Sequence, residues 1–308
     1  METIKACWNG RNDGENPLAR RVFQVVDFDL PIKSQGFGLV GFAVDEGVFR
    51  NKGRVGAKQA PNRIRQGLAN FPVTRQALRL HDLGNIECED GDLEKAQGLL
   101  SSSVCKVLQA GAKSIVLGGG HEIMFGHYNG IREAFPEKKI GILNLDAHFD
   151  NRQPSEVGKG SSGTGFWQIA QNEPLHSLHI GIQRNSNTLE LFDTAHNLGM
   201  QYILSDEIYF ENLNTILERI EEFANEVDVL YLTVCMDVFN AAISPGVSAL
   251  AYNGLFADIT VLTILRRVFS SSKLLAMDVA EVNPTYDLGD RTSRLAASLI
   301  NEWFLSAE

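Results

Sequence analysis

The chain has 308 residues, 44 % of them apolar and 8 % aromatic, a composition that supports a sizeable core and excludes global disorder. A formal net charge of −10 argues against general binding to nucleic acid or to anionic membranes. The four cysteines, Cys7, Cys88, Cys105 and Cys235, lie far apart without a CxxC pair, which excludes a disulfide framework or a zinc ribbon and fits reduced thiols.

The opening METIKACWNGRNDGEN lacks the apolar stretch of a signal peptide, and no apolar run approaches the roughly 20 residues that span a bilayer. A soluble, cytoplasmic protein is expected, with residues 1–35 as an N-terminal extension. From there short β-rich runs alternate with helical stretches. GFGLVGFAV (36–44) reads as a strand, followed by a Gly-rich, charged loop and by a helix over 61–71 that opens on Pro61. Residues 92–111 form a second helix with Gly111 as its C-terminal cap.

SIVLGGG (114–120) is a strand, 121–135 a helix and IGILNLDA (140–147) a strand. Further strands are predicted over 177–183, 200–205, 227–238 and 273–283, and helices over 206–226, 259–271 and 290–306. Near-continuous Val/Ile/Leu runs without polar alternation indicate strands buried on both faces, as in a parallel sheet covered by helices. No shift in composition divides the chain. The expected fold is a single doubly wound α/β domain over 1–308 with a mostly parallel sheet and helices on both faces.

Ligands of open parallel sheets bind beyond the carboxyl ends of the strands. Four acidic or histidine-bearing segments fall there: GGGHEI (118–123), NLDAHFDNR (144–152), CMDVF (235–239) and MDVAEVNP (277–284). They supply His121, Asp146, His148, Asp150, Cys235, Asp237 and Glu281, enough oxygen and imidazole for two divalent cations. Two such ions about 3.5–4 Å apart can activate one water for hydrolysis.

In DAHFD the residues Asp146, His148 and Asp150 are spaced at i, i+2 and i+4, so they share one face while the chain stays extended. The competing account is a solvated strand end whose acids cap turns. The glycines before His121 permit a sharp turn, and a phosphate cradle competes there, although neither a Walker lysine nor GxGxxG is present. His121 arrives one βαβ unit before DAHFD, so the two strand ends can be neighbours.

Cys235 lies two residues before Asp237 and on the same expected strand face. It is either a small buried hydrophobe or a soft metal ligand. Asp278, three residues before Glu281, falls on the opposite face and reads as a structural partner. Glu281 beside metal ligands suits a cationic amidine or guanidine group. Arg152 after DAHFD, and Arg184 at another strand end, are candidate carboxylate clamps, with surface solvation as the alternative.

Taken in order, GGGHE, DAHFD, the acidic strand end of CMDVF and EVNP resemble the ureohydrolase (arginase/agmatinase) family from about residue 36 to the C-terminus. GGGHEI, DAHFDNR, SSGTGF (161–166) and DVFNAAISPGVSA (237–249) resemble its formimidoylglutamase group. The resemblance implies an arginase-like α/β fold, two Mn²⁺ per subunit, a homo-oligomer, and hydrolysis of N-formimidoyl-L-glutamate to L-glutamate and formamide in histidine breakdown. Other amidinohydrolases, or a metal-binding pseudoenzyme of the same fold, are the alternatives.

By the same resemblance His121 and Asp150 hold one ion, His148 and Asp237 the other, and Asp146 bridges both. Cys235 stands where the wider family has its second bridging carboxylate. Glu281 contacts the amidine end of the substrate, and Asp150 handles the proton. Arginases carry a histidine near the SSGTGF segment; this chain does not.

Overall fold

The computed structural model describes residues 1–14, 16–74 and 78–306. The first part of the chain forms α1 (Glu2–Cys7), β1 (Val26–Asp27), β2 (Phe37–Ala43), α2 (Glu46–Arg50), α3 (Ala60–Ala69) and β3 (Leu80–Glu87). Then follow α4 (Leu93–Gln109), β4 (Lys113–Gly118), α5 (Ile123–Ala134), β5 (Ile140–Leu145), α6 (Gly165–Ala170), β6 (Ser177–Ile182) and α7 (Leu189–Asn197). The chain ends with β7 (Gln201–Leu204), α8 (Leu213–Asn225), β8 (Val229–Cys235), α9 (Ile259–Phe269), β9 (Leu274–Ala280) and α10 (Arg291–Ser306).

Among the described residues nine strands form one sheet in the order β1-β3-β2-β4-β9-β8-β5-β6-β7. Every strand pairing in it is parallel. Alternate residues of each central strand enter opposite cores. Leu143, Leu232 and Met277 pack with α3, α8, α9 and α10 on one side. Ile142, Tyr231 and Ala276 pack with α4, α5, α6 and α7 on the other. This is the doubly wound α/β sheet the uninterrupted apolar runs predict, because a strand buried twice has no polar face to show.

Several local features follow the expected chemistry. Pro61 opens α3, and Asp92 caps α4 by accepting from the Lys95 amide at 3.0 Å. Gly111 follows α4 with φ of 75°, the left-handed turn that ends the helix. Other boundaries differ. The helix expected from 121 starts at Ile123, and the one expected from 206 starts at Leu213 after two short 3₁₀ turns.

The sequence reading omits β3, because LHDLGNIE alternates too little and carries Asp82 and Asn85. Those polar groups are satisfied by tertiary partners. Arg65 of α3, fully buried, donates to both Asp82 carboxylate oxygens at 2.7 and 2.8 Å and to Asn85 Oδ1 at 2.6 Å. Trp8 Nε1 donates to Asp82 Oδ2 at 2.6 Å, which ties the N-terminal segment to β3.

Candidate metal centre

The four motif-bearing strand ends belong to β4, β9, β8 and β5, four contiguous strands at the middle of the sheet. The strands of His121 and DAHFD are therefore not adjacent, although their order in the chain allowed it, since β9 and β8 lie between them. The His121 side chain spans the gap, its Nδ1 reaching Asp146 and Asp150, while the GGG turn is held between the ends of β2 and β9. Gly120 N–H donates to Val44 O at 3.0 Å, and a Cβ on Gly119 would lie 2.2 Å from that same carbonyl, so only glycine fits there. The Gly119 carbonyl accepts from Glu281 N–H at 2.8 Å while Glu281 Oε1 accepts from His121 N–H at 2.9 Å. This reciprocal pair locks the β4 loop onto the end of β9.

The shared strand face invoked for DAHFD is not what gathers its side chains. Strand β5 stops at Leu145, and Asp150 has a left-handed φ of 47°. Likewise Cys235 is the last residue of β8, and Asp237 lies in a 3₁₀ turn over Met236–Val238. The loop is fixed from the β6 side instead. Asn187 Oδ1 accepts from Phe149 N–H at 3.1 Å and its Nδ2 donates to Ala147 O at 2.9 Å.

The result is two ligand groups that share one carboxylate. Ligand atoms of His121, Asp146 and Cys235 lie within 4.8 Å of one another, as do those of Asp146, His148 and Asp237. Asp146 offers one oxygen to each: Oδ2 is 3.0 Å from His121 Nδ1, and Oδ1 is 3.5 Å from His148 Nδ1. Asp150 Oδ2 stands 2.8 Å from His121 Nδ1, and Asp237 Oδ2 stands 3.3 Å from His148 Nδ1. Glu281 borders the first group through its bond to the His121 amide.

Arg152 is exposed, with its backbone N–H donating to Gly163 O at 2.9 Å. Arg184 is also exposed, and its guanidinium is paired with Asp206 rather than turned towards the ligand groups. Sequence reasoning missed Asn144, Thr233 and His179. Asn144 Nδ2 lies 3.4 Å from Asp146 Oδ2 and 3.1 Å from His179 Nδ1, and Thr233 Oγ1 lies 2.9 Å from His121 Nε2. Their signal was a polar residue inside a run otherwise apolar on both faces.

Burial and mutual charge set the protonation pattern. Burial opposes ionisation of Asp146, but hydrogen bonds and charge from His121 and His148 hold its carboxyl below the ordinary range. Burial would depress both rings, yet the surrounding carboxylates raise His121 and His148 well above the usual imidazole value. Asp150 and Asp237 are raised by burial, with the Asp146 charge adding to it. Glu281 is raised by burial, then by Asp237 and Glu122. Burial also pushes Glu122 up to about 8, and it raises the Cys235 thiol, with the nearby acids adding to the effect.

Asp237 Oδ1 and Glu281 Oε2 are buried and accept no hydrogen bond from the described residues. A pocket with this excess of unsatisfied carboxylate oxygen beside two imidazoles is arranged for cations, which remove the like-charge repulsion. Oxygen and nitrogen donors fit a hard or borderline divalent ion.

The fold and the paired ligand groups define a class, and sequence comparison agrees. The chain belongs to the arginase family, whose model matches residues 35–306. Among curated relatives, a formimidoylglutamase of Staphylococcus aureus is 39 % identical over 304 residues, which cover 96 % of both chains. A Trypanosoma cruzi formiminoglutamase solved with Mn²⁺ superimposes with a TM-score of 0.80 at 26 % identity, over 88 % of this chain and 92 % of that one. A Bacillus subtilis formimidoylglutamase gives a TM-score of 0.86 at 22 % identity, over 99 % and 98 %, and supports the shared fold.

Proposed function

We propose that the protein is a formimidoylglutamase, hydrolysing N-formimidoyl-L-glutamate to L-glutamate and formamide with two Mn²⁺ per subunit. The observation that carries this reading is the pair of ligand groups joined by Asp146, in a chain 39 % identical to a formimidoylglutamase along nearly its whole length. His121, Asp150 and Cys235 would hold one ion, His148 and Asp237 the other, with Asp146 common to both. When bound, two close divalent ions supply Lewis acidity and make water nucleophilic near neutral pH.

The chain's own groups supply the rest. Glu281 receives the amidine end of the substrate, its Oε2 being free of other bonds among the described residues. Asp150, at the edge of the His121 group, accepts the proton of the attacking water and returns it to the leaving nitrogen. Arg152, exposed two residues beyond Asp150, receives a substrate carboxylate. Arg184 joins it only by giving up Asp206. Among the described residues no helix is long and apolar enough to cross a membrane. Cytoplasmic residence, homo-oligomeric assembly and a single unit over residues 1–308 complete the reading.

The test is turnover. Manganese-reconstituted protein is incubated with N-formimidoyl-L-glutamate, agmatine or arginine, and formamide, glutamate and urea are measured. Formamide and glutamate released together, dependent on Mn²⁺, are expected. Urea from a guanidino substrate, with no formamide, moves the assignment to another amidinohydrolase.

A further inference from the structure

One face of the central strands carries a column of polar side chains inside an otherwise apolar layer. Ser114 of β4, Tyr231 and Thr233 of β8 and Asp278 of β9 are fully buried, and His127 of α5 reaches in to meet them. Thr233 and Asp278 are direct cross-strand partners. Polar groups buried this deeply are costly unless each is bonded, and apolar residues would fill the layer without that requirement.

The bonding is complete and directional. Asp278 Oδ1 accepts from Thr233 Oγ1–H at 2.6 Å. Its Oδ2 accepts from the Tyr231 hydroxyl and from His127 Nδ1–H, the latter at 2.8 Å. Ser114 Oγ stands 3.2 Å from His127 Nε2 and donates to it. A carboxylate only accepts, and a hydroxyl has one hydrogen, so the Thr233 O–H is committed to donating to Asp278. The contact of 2.9 Å between Thr233 Oγ1 and His121 Nε2 must then be donated by the ring. With Nε2 carrying hydrogen, a neutral His121 has its lone pair on Nδ1. That is the nitrogen facing Asp146 Oδ2 and Asp150 Oδ2.

We propose that Thr233 and Asp278 are positioning residues that fix the ring plane and tautomer of His121, so that Nδ1 is presented to a divalent cation. The inference rests on the metal-centre reading. It assigns the column to one of the two ligand groups: the His148 ring is a quarter exposed and has no place in it. Loss of the column therefore affects one ion more than the other, which a general loss of core packing would not do.

The full-length protein, stripped of metal, is titrated with Mn²⁺ by calorimetry, with electron paramagnetic resonance counting bound ions. Wild type is expected to take two. Thr233→Val, isosteric but without the hydroxyl, should weaken one site about 10–100-fold and spare the other, and Thr233→Ser should restore it. Thr233→Val with both affinities unchanged overturns the proposal, whatever its melting temperature. Should that variant not fold, nitrogen-15 spectra of the histidines in Zn²⁺-loaded wild type decide. Nε2 protonated and Nδ1 metal-bound in His121 supports the proposal; the reverse overturns it. Wild type that takes up no divalent ion overturns this inference together with the metal centre. Wild type that binds two ions but leaves formimidoylglutamate intact removes the substrate assignment, and the Thr233 comparison still decides this one.

Discussion

Two of the buried charged clusters among the described residues are built on opposite rules. Around Arg65 one cation meets one carboxylate, and the remaining donors find Asn85 Oδ1 and Gly84 O, while Trp8 and the Gly84 amide complete Asp82. At the strand ends Asp146, Asp150, Asp237, Glu281 and Glu122 gather around two imidazoles, and three carboxylate oxygens remain without a hydrogen bond among the described residues. The first cluster is closed and holds structure. The second is open, and its excess of negative charge is tolerable only with protons or metal ions in place.

The largest effect that tests this contrast is at the shared ligand. Asp146→Ala removes the only carboxylate common to both ligand groups, so turnover should fall by roughly 10³-fold or more while the fold persists. Near-normal turnover and metal content in the purified variant would falsify the two-ion reading. The mirror experiment is Arg65→Ala, which leaves Asp82 buried without its cation and should cost about 3–5 kcal/mol of stability. Metal affinity and turnover of the fraction that stays folded should be unchanged. If Arg65→Ala instead lowers manganese affinity, the two clusters are coupled and the contrast fails.

Arg152, two residues beyond Asp150, is the proposed carboxylate clamp, and its expected effect is smaller. Arg152→Ala should raise KM for a glutamate-based substrate by the equivalent of about 1.5–3 kcal/mol, with Lys rescuing only part for want of the planar fork. Unchanged KM in both variants would assign Arg152 to solvent.

The smallest effect per unit change is the response to pH. His121, His148, Asp150, Asp237, Glu281 and Glu122 all hold protons more tightly in the folded protein than as free side chains. Their contribution is complete below their ordinary values and is lost as pH rises through the folded ones. For Glu122 that window closes at about 8. Asp146 acts in the opposite sense, losing its contribution only in acid. Metal-free protein should therefore lose stability as pH rises from the ordinary carboxylate range to about 8, the span of the Glu122 shift, by about 1.4 kcal/mol per pH unit for each proton released. Added Mn²⁺ should stabilise most at the alkaline end. A flat or rising melting temperature for the metal-free protein would show that the open cluster is not strained by its own charge.

The closed and open clusters also differ in how far the sequence discloses them. Each acidic or imidazole group of the open one terminates a run such as SIVLGGG or ILNL, and a charge where a twice-buried strand ends is visible without coordinates. What was hidden there was geometry: β9 and β8 separate the strands of His121 and Asp146, and loop backbone rather than strand pleat brings the ligands together. Asp278 was legible as a structural partner, but Thr233 lay within an apolar run, where a single polar residue has no periodicity to betray its partner. The closed cluster left almost no trace. Nothing in the sequence singles out Arg65 or Trp8 until β3 places Asp82 between them.

The strand order has a consequence for how the protein is made. Consecutive strands β4 and β5 end up flanking β9 and β8, which come from the last third of the chain. A nascent chain that has reached residue 228 has already displayed His121, Asp146, His148 and Asp150, but lacks the two strands that complete the middle of its sheet. Until β9 enters there, the lock between Gly119 and Glu281 cannot form. The centre of the sheet is the last part of it to be synthesised, so neither ligand group is complete until β8 and the turn after it have delivered Cys235 and Asp237.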